Sequence, residues 1–155
     1  MRRLIAYLIR FAVIMVGYVV ASLAASAFLN ILFLAHLGYT PADPEPTATA
    51  SLYFSVPFVA LFVAYFAFMP AAVAILIAEV LGRRDWLFYA LAGAVVAGIF
   101  LGLVHQNADI NFDVTETNAR LAVIGSGMVG GISYWLFSGR WAGSWRREAL
   151  PDLEA

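Results

Sequence analysis

The sequence predicts an all-α membrane protein of four transmembrane helices, with its N-terminus and C-terminus both cytoplasmic. Three observations carry that expectation: the composition, four apolar runs of spanning length, and a lopsided placement of arginine. Of 155 residues, 63% are hydrophobic and 12% charged, with a mean hydropathy of +0.86. A soluble domain is about half apolar and about one quarter charged. The excess is too large for a core and too evenly spread for one sticky patch. The net charge of −1 decides nothing, because in a membrane chain the position of each charge matters more than the sum.

The four runs cover residues 11–37, 56–78, 86–104 and 121–138. A helix needs about 20 apolar residues to cross about 30 Å of hydrocarbon. The last two runs just reach, and the first is long enough to tilt or protrude. Only helices and closed barrels satisfy their own backbone in lipid, and strict two-residue alternation is absent, so helices are expected. The whole chain, 1–155, then forms one integral membrane domain. Outer loops fall at 38–55 and 105–120, an inner loop at 79–85 and a cytoplasmic tail at 139–155.

Arginine sets the orientation. Arg2, Arg3 and Arg10 precede or open the first run, Arg83 and Arg84 lie between the second and third, and Arg140, Arg146 and Arg147 follow the fourth. The two outer loops carry Asp43, Glu45, Asp109, Asp113 and Glu116, with only Arg120 among them. Eight of nine basic residues thus share one side, which the positive-inside rule makes cytoplasmic. Trp86, Trp135, Trp141 and Trp145 gather at the same inner interface, while Tyr39, Tyr53 and Phe112 mark the outer one. Arg2, Arg3 and Ala25-Ser26-Ala27 also allow a cleaved signal peptide. Arg10 sits where the apolar core of such a peptide should begin, and apolar residues continue to Leu37, so a retained first helix is expected.

Cysteine is absent, which removes disulfides, thiolate metal sites and cysteine nucleophiles together. Every basic residue is Arg, and Ala and Gly are abundant. That usage suggests a GC-rich bacterial genome and hence a multi-pass protein of the bacterial inner membrane.

Helix faces differ in kind. Residues Ala90, Ala94, Gly98 and Gly102 recur at four-residue steps in the third run, and Gly127 and Gly131 do so in the fourth, flanked by Ser126 and Gly130. Small residues let helices approach closely in lipid, so the third and fourth helices are expected to pack together. The same faces could instead join copies of this chain or other membrane subunits. The second run carries an aromatic ridge of Phe54, Phe58, Phe62 and Phe66, and Pro70, which frees the Phe66 carbonyl and predicts a kink. Pro41, Pro44 and Pro46, with Ala42, Asp43 and Glu45, predict an extended, non-helical outer stretch.

Chemistry-bearing motifs are few. Gly125-Ser126-Gly127-Met128-Val129-Gly130 imitates a dinucleotide-binding turn, but that fold needs a second strand with an acidic residue about 20 positions on. Only a short Arg-rich tail follows, so these glycines are read as part of a membrane helix. His36 and His105, with Gln106 and Asp109 nearby, offer a pair of imidazoles at one side for haem or metal, but at the rim of the spans they read as ordinary polar helix ends. Glu79 and Arg83, and Glu116 and Arg120, have the spacing of helical ion pairs and read as interfacial anchors. Asn30 is the one strong hydrogen-bonding side chain within a span and is expected to bond a neighbouring helix. No catalytic set, metal site, cofactor or nucleic-acid surface is expected.

The ending Tyr134-Trp135-Leu136-Phe137-Ser138-Gly139-Arg140-Trp141-Ala142-Gly143 resembles the ending of small uncharacterised four-helix bacterial inner-membrane proteins, which similarly finish on Tyr-Trp and then Gly-Arg-x-Ala-Gly. The resemblance covers ten residues and implies membrane residence without implying an activity. The leading functional expectation is a non-enzymatic structural or accessory membrane subunit joined through its glycine faces. The alternative is a small oligomeric transporter or channel, with Pro70 as hinge and Asn30 along the path. A redox protein ligating a cofactor through His36 and His105 is the third reading.

Overall fold

A computed structural model describes residues 2–36, 38, 46–107 and 117–142 of the chain. Among these, the helices are α1 (Arg2–His36), α2 (Pro46–Leu81), α3 (Trp86–Asn107) and α4 (Thr117–Phe137), then one 3-10 turn, Gly139–Trp141. All four α-helices are long and apolar enough to cross a membrane.

The third and fourth helices lie close to the expected runs, but α1 and α2 are longer. Their 35 and 36 residues give about 52–54 Å of helix, against about 30 Å of hydrocarbon. Hydropathy ends where helix propensity does not. Residues 2–10 include arginines and apolar residues that favour helix, and α2 opens on Pro46, whose fixed φ and missing N–H suit a first helical position. Pro46 therefore begins a helix, where an extended stretch was expected, and 46–55 belong to α2 rather than to an outer loop. Residues 41–45 lie outside the described residues. The helix continues through Pro57 and Pro70.

Between α2 and α3 the chain turns on Gly82, at φ +62°. Gly82 N–H donates to Glu79 O at 3.3 Å and Arg83 N–H to Ala78 O at 3.0 Å. This is a Schellman ending, which needs a left-handed residue that glycine supplies cheaply. The connection between α2 and α3, expected at 79–85, shrinks to residues 82–85.

The helices form a bundle in which α4 is the central partner, packed closely on α3 and on α1. Helix α2 docks on α1, and its contact with α3 is the loosest of the four sides. The α3–α4 seam is made of glycine. A methyl group added at Gly93 would overlap the Gly127 carbonyl, one at Gly127 the Gly93 carbonyl, and one at Gly131 the Tyr89 carbonyl. Toward α1, a methyl at Gly130 would stand 3.1 Å from Ala21 O, and one at Gly125 3.3 Å from the Phe28 ring. The three glycines of the nucleotide-like motif are thus packing positions within α4.

The α3 groove differs from the expected line. Ala90, Gly93 and Ala97 face α4, whereas Gly98 and Gly102 are exposed with nothing within 4 Å of an added methyl. Four-residue steps advance about 40° around a helix, so a line starting on the seam at Ala90 has left it by Gly102. Mixed steps of three and four stay on the seam.

Hydrogen bonds fasten α1 to α2. Tyr18 donates to Ala64 O at 2.5 Å, Ser26 Oγ to Val56 O at 2.7 Å, and Ser55 Oγ to Asn30 Oδ1 at 2.6 Å. Asn30 Nδ2 also donates to Ser26 O at 2.9 Å. Asn30 bonds a neighbouring helix, as expected.

A candidate functional site between the four helices

The small side chains that let α4 approach α1 and α3 leave space beside α2. Alanines 67, 71 and 74 of α2 line a cavity of about 320 Å³ to which all four helices contribute. Its lining is overwhelmingly aliphatic and aromatic, with no ionised side chain. Phe62 and Phe66 border it and are about half exposed, so the space reaches the surface on the loosely packed α2–α3 side. There the Phe66 and Phe100 rings meet at 5.7 Å.

The aromatic ridge leads into this opening. Phe54 and Phe58 stack at 5.9 Å, and Phe58 meets Phe62 at 5.1 Å. The same 40° drift that dissolves the α3 line carries this ridge from an outward start at Phe54 to the cavity border at Phe66.

Five hydroxyl-bearing residues line the cavity: Tyr18, Ser22, Tyr89, Ser126 and Tyr134. Four donate within the protein. Tyr18 reaches Ala64 O, Ser22 the Tyr18 O at 3.0 Å, Ser126 the Val123 O at 2.7 Å, and Tyr89 the Arg83 O at 3.1 Å. The Tyr134 hydroxyl is buried and faces the buried Ser138 hydroxyl one turn on, and among the described residues neither reaches any other acceptor. Its ring packs 5.6 Å from that of Tyr89, over buried Ala78, closing the cavity toward one end of the bundle.

That end is polar and arginine-rich. Arg10 of α1 forms an ion pair with Glu79 of α2, their side chains 17% and 12% exposed. The expected local pair of Glu79 with Arg83 gives way to this one, and Arg83 lies 3.7 Å from Asp85 in the open. A local pair on a solvated helix face is worth only tenths of a kcal/mol, whereas an arginine folded against the bundle needs a carboxylate. Arg10 Nε and Ser138 Oγ are buried without partners beside it.

The chain after α4 fastens this end. Trp135 Nε1 donates to Arg84 O at 2.6 Å, and Arg84 Nε to Ala142 O at 3.0 Å. A methyl at Gly139 would meet the Tyr89 ring at 2.7 Å, and Ser138 and Ala142 are fully buried. The Tyr-Trp and Gly-Arg-Trp-Ala residues therefore latch the 82–85 turn to the end of α4.

Of the other residues with chemical potential, His36 ends α1 and is exposed, and His105 lies on α3. Asp109, Glu116, Tyr39, Phe112 and Trp145 lie outside the described residues. Asn30 does not line the cavity, which removes it from any path through this space. Tyr89 gives no signal in the sequence, since a lone tyrosine in an apolar run carries no spacing pattern; Tyr134 and Ser138 stand out only as part of the Tyr-Trp ending, which says nothing of a cavity. Compared with protein-family models, with curated proteins and with solved structures, the chain finds no match.

Proposed function

We propose that this chain is a non-enzymatic accessory subunit of a bacterial inner membrane, crossing it four times with both termini in the cytoplasm. The arginine asymmetry supports the orientation, and four helices of spanning length support the multi-pass placement. The observation that carries the accessory reading is the second small-residue face of α3. The bundle spends Ala90, Gly93 and Ala97 on α4 but leaves Gly98 and Gly102 open, between exposed Val95, Ile99 and Leu103. A glycine pair with free space beside it suits close approach by another helix, from a second copy or from a different membrane subunit.

Native mass measured on protein kept in nanodiscs tests this. Wild type should run heavier than one chain, and Gly98→Leu with Gly102→Leu should return it to a single chain with an unchanged helical spectrum. A wild-type protein that is monomeric and alone would refute the reading.

The cavity favours a second reading, a small oligomeric transporter or channel. It predicts solute or ion flux in liposomes that is lost on Pro70→Ala. The neutral lining weighs against ions, and a liposome screen without flux would dispose of this alternative.

A further inference from the structure

We propose that the cavity between the four helices is a binding site for one hydrocarbon chain that bears a hydrogen-bond-accepting oxygen, entering sideways between α2 and α3. This goes beyond the accessory reading and does not depend on it. Protein interiors are close-packed, and a space of about 320 Å³ is roughly twice the size of an engineered apolar cavity that admits benzene. Water is a poor occupant. Each water needs two to four polar partners, and four of the five lining hydroxyls already donate to backbone carbonyls.

The shape suits a chain. Alanines 71 and 74 of α2 and Ala92 and Val96 of α3 all line the space, and these two helices touch least of the four neighbouring pairs. Elsewhere in this bundle small residues bring backbones together; here they border open volume. Phe62, Phe66 and Phe100 frame an entrance facing the lipid, and a chain can pass it by ring rotation without breaking a backbone hydrogen bond.

The polar end of the occupant follows from Tyr134. Its side chain lines the cavity, the residue is 5% exposed, and its hydroxyl faces only the equally buried Ser138 hydroxyl, so that even if the two pair with each other one O–H is left without an acceptor. A buried hydroxyl without a hydrogen bond is costly, and a carbonyl or carboxyl oxygen supplies the acceptor. The shared chemistry is an acyl chain with its oxygen; its source is either a bilayer phospholipid or a free fatty acid.

The full-length protein in nanodiscs tests this with two probes, a phospholipid carrying a diazirine midway along one acyl chain, and a free fatty acid carrying the same group. After irradiation and digestion, label is expected on Ala71, Ala74, Ala92 and Val96 in at least one arm. Labelling from the phospholipid names the bilayer as source, and labelling from the fatty acid alone names the free acid. Tyr134→Phe should lower cavity labelling several-fold while leaving outward Leu76 and Val95 labelled as before. Label confined to outward residues in both arms would overturn the site, and cavity labelling unchanged in Tyr134→Phe would overturn the role of the oxygen.

Discussion

Glu79 is held by a residue 69 positions away, and the energetics of burial explain the choice. Arg10 sits against the bundle, where its charge is poorly hydrated, and a carboxylate from α2 offsets that cost. Removing Arg10 takes away the cross-helix cation that Glu79 faces, so Arg10→Ala should lower stability by up to about 3 kcal/mol, read as reversible unfolding in detergent. Exchanging the charges, Arg10→Glu with Glu79→Arg, should recover a large part of the loss. Equal stability for Arg10→Ala and wild type would show that the pair is idle. Asn30 acts on a smaller scale. Hydrogen bonds between membrane helices are worth about 0.6 kcal/mol on average and rarely exceed about 1.7, so Asn30→Leu should cost about 1 kcal/mol and leave the fold intact.

At the scale of elements, the seam between α3 and α4 is set by backbone approach. Gly131→Leu would drive a side chain into the Tyr89 carbonyl, which no rotamer avoids. Its cost should reach or exceed the top of the roughly 1–3 kcal/mol range of overpacking, whereas Gly98→Leu should leave the unfolding midpoint of the single bundle unchanged. Equal destabilisation by both would contradict the seam. The same glycines mark how far a sequence pattern reaches. That α3 and α4 pack through small residues was legible in Gly127 and Gly131, because both lie on one line short enough to stay on a face. Which α3 residues meet them was not, because a line of four-residue steps rotates away from the seam within three turns. Helix lengths were underestimated at 2–10 and 46–55 for a different reason: hydropathy measures preference for lipid, while polar and small residues extend a helix past it.

For the whole molecule, length and apolarity make four spans readable in the sequence, since nothing but a helix closes its own backbone in lipid when the alternation of a barrel is missing. The cavity was not readable. It arises from where small side chains fall together on all four helices, and such a coincidence leaves no pattern along one chain. Tyr134, noted in the sequence only as part of the Tyr-Trp ending, is a buried hydroxyl at the closed end of that space. The latch built by Trp135, Arg84 and Ala142 gives the final residues of the fourth helix a structural purpose at the arginine-rich end. Trp135→Phe removes one bond of the latch and should lower stability by about 1 kcal/mol, with no change in native mass.

The proposed placement of this chain rests on four crossings with the arginine-rich end facing the cytoplasm. Because the chain has no cysteine, single substitutions report on sidedness without background. Asp43→Cys and Arg140→Cys, made separately, would be exposed to a membrane-impermeant maleimide on spheroplasts, before and after permeabilisation. Asp43→Cys should label at once and Arg140→Cys only after permeabilisation. Arg140→Cys labelling in intact spheroplasts, with Asp43→Cys protected, would invert the orientation; labelling of both would break the four-span arrangement itself.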